Sequence, residues 1–190
     1  MVFSVEAKPI VALIGMQVGT LDPNKGIPCQ GAYYFNGMRL TGCHSHTYCG
    51  NVATGIQHSC NTYFVTVFRE IIDRHSDEST PRRGLDEFNA YLHNFGMGRK
   101  LGIDFPGEQS GSYPSSAYFD KVYKKDGWWR SLWVRSLAIG QGELQTTNLQ
   151  LANMAAAIAN RGYYITPHLV RGMRNQTGNI IPSPLSMKKY

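Results

Sequence analysis

A hydroxyl and an amide lie two residues apart near the middle of the chain. Ser59 and Asn61 form a short polar segment between two stretches of helical hydrophobic spacing. Such a segment is costly between buried helices unless its side chains find partners. One interpretation is that Ser59 and Asn61 both project into a cleft. The other is that Asn61 only caps the second helix, a position that asparagine favours.

A lysine near the start of the chain could serve as a base. Lys8 precedes Pro9 and an apolar run, a pattern that predicts a buried helix over residues 8–18 because proline is tolerated at a helix start. In a closed cleft, burial lowers the pKa of a lysine and lets it accept a proton. Ser4 lies four residues earlier and could share a helical face with Lys8, although Pro9 disfavours a continuous helix between them.

The sequence Asn36-Gly37 between two apolar stretches predicts a β-hairpin with a two-residue turn. This hairpin would bring Cys29 close to Cys43 and His44. With ideal pairing about the turn, Cys29 lies opposite His44, whereas a shift of one residue places Cys29 opposite Cys43. The register of the hairpin therefore decides which of these side chains can meet.

The cysteines and histidines around this hairpin allow two structures. The ideal register puts Cys29, His44 and His46 on one face, which favours a structural Zn²⁺ site. The candidate ligands are Cys29, Cys43, His44, His46 and Cys49. The shifted register favours a Cys29–Cys43 disulfide, which is the interpretation we prefer, although spacing alone cannot fix the connectivity. Cys60 is interpreted as a buried thiol that packs as a small hydrophobic residue.

Hydrophobic spacing predicts the helices that would position these side chains. The five helices cover residues 8–18, 52–59, 61–75, 84–95 and 147–160, and we expect them to form one core around the second. The segment 112–135 is aromatic and basic. We interpret it as a cluster that packs a long loop, the alternative being a wall of a substrate groove. The predicted fold class is α+β and helix-rich.

The composition excludes several classes of protein. The length of 190 residues suits one domain or a large piece of one, and the net charge is +6. The basic residues are spread along the chain rather than gathered in a recognisable module, which disfavours nucleic-acid binding. No apolar run is long enough to cross a bilayer, and the N-terminus lacks the layout of a signal peptide.

Three motifs together resemble the transpeptidase domain of class B penicillin-binding proteins, most closely the elongation type. The first is His58-Ser59-Cys60-Asn61-Thr62-Tyr63-Phe64, and the second is Ile139-Gly140-Gln141-Gly142. The third is Leu149-Gln150-Leu151-Ala152-Asn153, followed by Ala159-Asn160-Arg161-Gly162. Each motif is weak alone, but their order and rough spacing match the family over nearly the whole chain.

The resemblance implies a fold and a degree of completeness. The fold would be an incomplete serine β-lactamase/transpeptidase-like fold, with a small hairpin and a truncated sheet. Residues 1–190 would be part of a single transpeptidase domain that lacks the family's C-terminal Lys-Thr-Gly strand region. The family places its nucleophilic serine three residues before the lysine, where this chain has Val5 and not Ser4. Lys8 therefore matches the family lysine, and Ser4 is displaced from the place of the nucleophile.

The resemblance also implies a chemistry. The serine of the first motif attacks the penultimate D-alanine of a peptidoglycan stem peptide, and Lys8 accepts the serine's proton. Ser59 relays a proton to the leaving group, and Asn61 hydrogen-bonds the substrate amide or the lysine. A second stem peptide then resolves the acyl-enzyme and forms a crosslink. No cofactor is required for this reaction.

The implied partners are peptidoglycan stem peptides, β-lactams and the membrane-bound cell-wall synthesis machinery, with no nucleic acid. The implied location is the periplasmic face of the bacterial inner membrane. Family members are held there by an N-terminal helix, which we do not find in this sequence, so we interpret the chain as an excised piece.

Two other functions are compatible with the same residues. One is a D,D-carboxypeptidase or β-lactamase of the same fold, which would hydrolyse the acyl-enzyme. The other is a catalytically inert piece that contributes only packing or partner contacts. Because residues that act as a unit in catalysis are far from additive, we expect the 190 residues alone to react poorly with penicillin.

Overall fold

The computed structural model describes residues 7–46, 48–75 and 81–184. Six α-helices and one 3₁₀ helix dominate this part of the chain. The helices are α1 (Ala7–Gln17), α2 (Val52–Gln57), α3 (Asn61–Ile72), α4 (Arg82–Asn94), α5 (Ser116–Val122), the 3₁₀ helix (Arg135–Ile139) and α6 (Asn148–Ala159). The strands are β1 (Ala32–Phe35), β2 (Met38–Gly42), β3 (Gly172–Arg174) and β4 (Ile180–Pro182). The five predicted helices are thus all present, with each end within three residues of its predicted position.

The chain divides into two compact units. The first consists of residues 2–90 and 114–144, and the second mainly of residues 91–113 and 145–190. Helix α6 belongs to the second unit, so the expectation of one core for all five helices was wrong. The second unit has its own apolar cluster, in which Leu101, Ala157 and Tyr164 are buried.

Helix α3 is the centre of the first unit. Its residues Phe64, Val67, Phe68 and Ile71 are completely buried, as the helical spacing of apolar side chains predicts. The elements packed against it include α1, the β1–β2 hairpin and the 3₁₀ helix. The centre is therefore α3 and not the predicted helix at 52–59, because α2 has only six residues and buries little.

The β1–β2 hairpin forms around Asn36-Gly37 as predicted, but its register is altered by a bulge. Phe35 pairs with Met38 next to the turn, whereas Ala32 pairs with Gly42 beyond an irregularity between Tyr33 and Tyr34. The ladder begins at Ala32, so Cys29 pairs with neither His44 nor Cys43 along it. The bulge shifts the register in the direction opposite to the one that would place Cys29 across from Cys43.

A polar network beside α3 fastens this hairpin to the rest of the unit. The Arg69 guanidinium donates to the Tyr33 hydroxyl on β1 and, at 3.2 Å, to the Ser131 hydroxyl. Ser131 donates in turn to Asp73 at 2.5 Å, and Arg69 lies 5.0 Å above the Phe35 ring. One arginine therefore joins α3, β1 and the loop before the 3₁₀ helix.

The second unit is organised by caps and buried amides. Thr147 and Gln150 form a reciprocal capping box at the start of α6. The Gln150 amide also donates to the carbonyls of Gly96, Arg99 and Ser110. Each of these bonds satisfies a backbone acceptor in a segment without regular structure.

The sheets are small, as the predicted fold class requires. Within the described residues the named strands form two antiparallel two-stranded sheets, β1–β2 and β3–β4. The helix-rich α+β prediction with a truncated sheet is confirmed. Across the described ranges, no helix has both the length and the apolar character that a membrane crossing requires.

The Arg69 network gives a testable prediction about stability. Replacing Arg69 with methionine keeps the apolar stem but removes its contacts with the Tyr33 and Ser131 hydroxyls and with the Asp73 carboxylate, which lies 3.6 Å from the guanidinium. We expect a loss of about 2 kcal/mol in the free energy of unfolding, measured by urea denaturation.

The control is Arg83→Met. Arg83 is half-exposed and pairs with Glu87 on the same helix, so its loss should cost less than about 0.5 kcal/mol. Equal effects for the two substitutions would contradict the role of Arg69 in joining α3, β1 and the loop before the 3₁₀ helix.

Candidate active site

The segment between α2 and α3 turns by means of a left-handed serine. Ser59 has φ of 48°, a conformation that glycine adopts without cost and that other residues avoid. The Cys60 N–H donates to the Gly55 carbonyl and the Ser59 N–H to the Ile56 carbonyl, which is the bonding pattern of a Schellman motif. A serine at the usual glycine position of this motif is a local strain, and such strain is concentrated at functional sites.

Lys8 reaches this strained residue from α1. Its ammonium group donates to the Ser59 hydroxyl at 2.6 Å and to the Ser59 carbonyl at 2.9 Å. Lys8 is only 2% exposed, and a buried amine must have good hydrogen-bond partners. The structure therefore brings together two of the residues that the sequence singled out, although 51 positions separate them.

Asn61 is the first residue of α3 and not its cap. The N-cap is Cys60, whose sulfur accepts from the Tyr63 N–H at 3.3 Å, so the interpretation of Asn61 as a cap was wrong. The Asn61 side chain instead donates to the Gly42 carbonyl at the end of β2, at 2.8 Å. Its amide is thus directed toward the hairpin.

Asn61 lines a cavity of about 440 Å³ at the end of β2. The other lining residues are Leu40, Thr41, Gly42, Trp133, Arg135, Ser136, Ile139 and Gln141. Gln141 lies between Gly140 and Gly142, which have φ of 66° and 77°. A side chain at position 142 would also meet the Ser136 hydroxyl at 2.6 Å, so the Gly-Gln-Gly motif is required by the shape of this wall.

The three predicted site residues do not all line this cavity. Asn61 does, whereas Lys8 and Ser59 contact each other but are absent from its lining. Ser4 lies outside the described residues. Another open cavity, of about 550 Å³, lies beside Arg69 and Asp73 and is lined by none of the predicted site residues.

Arg135 is a residue of this site that the sequence analysis did not single out. Its guanidinium donates to the Thr41 hydroxyl and the Leu40 carbonyl, each at 3.1 Å, and to the Leu132 carbonyl at 2.8 Å. These bonds hold β2 against the start of the 3₁₀ helix and fix the width of the cavity. No sequence signal marked Arg135, since two of its three partners are backbone carbonyls, which every residue carries.

A compact group of sulfur and nitrogen atoms lies next to Asn61. The side-chain donor atoms of Cys29, Cys43, His46 and Cys60 all lie within 4.8 Å of one another. The Cys43 sulfur is 3.4 Å from His46 Nε2 and 3.8 Å from the Cys60 sulfur. The fourth member, Cys60, was expected only to pack as a buried thiol.

The Cys29–Cys43 disulfide that the sequence favoured is not formed. All four cysteines are free thiols, and Cys29 donates to the Thr62 hydroxyl at 3.2 Å. His44 is exposed and stands outside the group, because neighbouring residues of an extended segment point to opposite sides. Cys49 is buried and lies outside this set of four residues, with its sulfur 3.8 Å from His46 Nδ1.

The thiols differ in how readily they ionise. Burial opposes ionisation of Cys43, but the backbone N–H of Thr62, the His46 ring and the N–H of Asn61 together lower its pKa to about 7. Burial raises the pKa of Cys60 well above the ordinary range for a thiol, and burial also raises that of Cys49. Cys43 is therefore the thiol best suited to carry a negative charge at neutral pH.

The comparisons with known proteins agree with this geometry. The family described as the penicillin binding protein transpeptidase domain matches residues 7–189. The peptidoglycan D,D-transpeptidase MrdA of Acinetobacter baumannii is 30% identical over 171 residues, which cover 86% of this chain and 23% of that protein. The chain therefore belongs to the penicillin-binding protein transpeptidase family, and it spans about a quarter of the length of that curated relative.

Two solved structures have the same fold. One is Pseudomonas aeruginosa PBP2 in complex with WCK 5153, with a TM-score of 0.75 and 28% identity over 97% of this chain and 39% of that one. The other is the complex between PBP2 and MreC from Helicobacter pylori, with a TM-score of 0.70 and 24% identity over 88% of this chain and 29% of that one. The predicted resemblance to an elongation-type transpeptidase is confirmed.

The left-handed conformation of Ser59 gives a prediction in which two substitutions are compared. Ser59→Gly and Ser59→Ala both remove the hydroxyl that Lys8 contacts, but only alanine keeps the steric conflict at positive φ. We expect the glycine variant to be more stable than the alanine variant by about 1 kcal/mol. Urea midpoints measure the difference.

The matched control is Ala156, an exposed position inside α6. There the order is reversed, and the wild-type alanine should exceed Ala156→Gly by about 1 kcal/mol. An alanine at position 59 that matched or exceeded glycine would show that the turn is not held at positive φ in solution.

Proposed function

We propose that this chain provides part of the site of a serine peptidoglycan D,D-transpeptidase. The observation that carries the proposal is the contact of the buried Lys8 amine with Ser59, two residues before Asn61. Membership of the transpeptidase family and likeness to named D,D-transpeptidases support it. The whole protein would act on peptidoglycan stem peptides at the periplasmic face of the inner membrane.

The reaction would begin with attack by a serine hydroxyl on the carbonyl carbon of the penultimate D-alanine. Ser4 is the candidate nucleophile in this sequence. Lys8 would accept the hydroxyl proton, since burial favours the neutral amine that can do so. Ser59, hydrogen-bonded to Lys8, would pass a proton to the departing D-alanine amine. The amine of a second stem peptide would then attack the ester and release the serine.

Asn61 would position the substrate in this scheme. Its side-chain amide already donates to the carbonyl of Gly42 and faces the cavity beside Gln141. The amide oxygen can accept a hydrogen bond from a substrate N–H. The partners would be stem peptides, β-lactams that imitate them, and the membrane-bound machinery of cell-wall synthesis, to which the complex of a relative with MreC points.

Acylation by a fluorescent penicillin tests the assigned roles in the protein purified as the cell makes it. Lys8→Met should slow acylation at least about a hundredfold because the base is lost. Asn61→Ala should slow it roughly tenfold to a hundredfold because one hydrogen bond to the ligand is lost. The controls are Lys100→Met and Asn148→Ala, both at exposed positions in the second unit.

The products separate the proposed function from its alternatives. Crosslinked dimers formed from stem peptides support a transpeptidase, whereas free D-alanine without dimers indicates a carboxypeptidase. Hydrolysed penicillin with turnover indicates a β-lactamase. Wild-type acylation rates in Lys8→Met would refute the role of Lys8, and absence of any acylation would favour the inert piece.

We further propose that the cluster of cysteine and histidine side chains next to Asn61 holds a structural Zn²⁺ ion. The ligands would be Cys29, Cys43, His46 and Cys60, three of them from the predicted hairpin region. Ligand atoms around a tetrahedral zinc ion lie about 3.5–3.8 Å apart, given its usual bond lengths. The 3.4 Å and 3.8 Å separations around Cys43 fit this spacing.

The donor set also indicates what the ion would do. Four protein ligands leave no open position, so the site would be structural and not catalytic. Cys49 would orient His46 through its second ring nitrogen. Because Cys60 stands between Ser59 and Asn61, the bound ion would fix the segment that carries both side chains.

Metal removal tests the zinc proposal. We expect one zinc per chain by elemental analysis, and a chelator should release zinc and thiols while addition of reductant should not change the thiol count. Cys60→Ser should lower the zinc content, whereas Cys49→Ser should largely retain it. A thiol count that rises with reductant, without zinc, would restore the disulfide interpretation.

A further inference from the structure

The three tryptophans of the chain lie within six residues of one another, in a segment with a strong positive charge. Residues 121–135 contain five basic side chains and one acidic side chain. Three aromatic rings of this segment pack side by side, with Trp133 between Tyr123 and Trp128. We call these three residues the aromatic strip. The ring centroids of Tyr123 and Trp133 are 4.8 Å apart, and those of Trp133 and Trp128 are 5.2 Å apart.

Two buried residues anchor the loop that carries the aromatic strip. Trp129 is buried and its indole N–H donates to Asp120 at 2.7 Å, and Ser131 is buried against Asp73. Trp128, between these anchors and the solvent, remains 46% exposed. The Arg130 guanidinium lies 4.5 Å above its ring. The exposed rings are thus held in place before any ligand arrives, which lowers the entropic cost of binding.

The aromatic strip continues from the candidate active site. Trp133 lines the cavity that contains Asn61, and Trp128 lines two smaller cavities beside the same loop. A ligand that entered the Asn61 cavity and extended past Trp133 would therefore meet Trp128, which has Arg130 beside it in one of these cavities and Lys124 in the other. Such a surface suits a long polymer better than a small molecule.

We propose that the aromatic strip binds the glycan strand of the peptidoglycan polymer whose stem peptide reacts in the cavity. This inference rests on the proposed transpeptidase function. Sugar rings present flat C–H faces that pack on exposed aromatic rings, and the free carboxylates of stem peptides match the surrounding Lys124, Lys125 and Arg130. A peptide substrate carried on a glycan chain supplies both features in one ligand.

The test compares two probes with the purified protein: soluble, uncrosslinked glycan chains bearing pentapeptide stems, and the free pentapeptide. The measured quantity is the ratio of the two affinities, obtained by titration calorimetry at one ionic strength. We expect the wild type to prefer the chains. Trp128→Ala should reduce this preference about tenfold, and Arg130→Gln about threefold, because stacking and cation–π contacts are lost.

The matched control is Tyr34→Ala. Tyr34 is 45% exposed, nearly the same as Trp128, but belongs to β1 and stands outside the aromatic strip. It should leave the ratio unchanged. A ratio that Trp128→Ala and Arg130→Gln leave within twofold of wild type, or that Tyr34→Ala lowers equally, would overturn the proposal.

Two further outcomes distinguish glycan binding from membrane binding and from the proposed transpeptidase function. Loss of binding to vesicles of anionic phospholipid in Trp128→Ala, with glycan binding retained, would assign the strip to a membrane and overturn the glycan assignment. Penicillin acylation is measured on the same wild-type protein. A protein that is not acylated but still shows the Trp128-dependent preference for glycan chains would refute the transpeptidase role alone.

Discussion

A buried amine facing a strained turn is the constraint around which the first unit is arranged. The Lys8 amine is removed from water and needs acceptors, and both the hydroxyl and the carbonyl of Ser59 serve it. These two acceptors converge only because Ser59 adopts the left-handed conformation that ends α2. The apolar face of α3 then holds the turn, since its fully buried side chains leave the start of that helix no freedom to move.

The cluster of cysteines next to Asn61 links the chemistry of the site to the redox state of the compartment. If the protein works in an oxidising compartment, neighbouring free thiols would be expected to form disulfides. The structure instead sets the Cys43 and Cys60 sulfurs at a separation suited to shared ligation and too long for a bond. The proposed metal ion would protect its three cysteine ligands from oxidation, and this would reconcile their free state with the proposed periplasmic location.

The sequence was a good guide to the helices and a poor guide to what lies between them. Helix α3 was predicted within three residues because its apolar side chains repeat at helical spacing over about three turns. The hairpin turn was predicted from Asn36-Gly37, but nothing in β1 or β2 marked the bulge at Tyr33 and Tyr34. Since a single extra residue shifts every later pair, Cys29 lies opposite neither predicted residue along the ladder, although its sulfur does come close to that of Cys43 as expected.

The sequence likewise predicted some residues of the candidate site and missed others. Lys8, Ser59 and Asn61 could be proposed because their motifs resemble a family, whereas hydrophobic spacing alone could not bring Lys8 to Ser59. Cys60 and Arg135 were missed as participants for physical reasons. The position of the Cys60 sulfur depends on a turn at positive φ, and the partners of Arg135 are mostly carbonyls, which every sequence possesses.

If the proposed zinc ion binds, the Cys60 cap would couple metal binding to folding. The same sulfur accepts the Tyr63 N–H at the start of α3 and stands among the proposed zinc ligands. Zinc present at a thousand times its dissociation constant would add about 4 kcal/mol to the free energy of unfolding. A substitution far along α3 that loosened this helix start in the metal-free protein would weaken the affinity for zinc by the factor by which it lowers the population of the ordered helix start. The affinity for zinc would then report on the integrity of a hydrophobic core that the metal never touches.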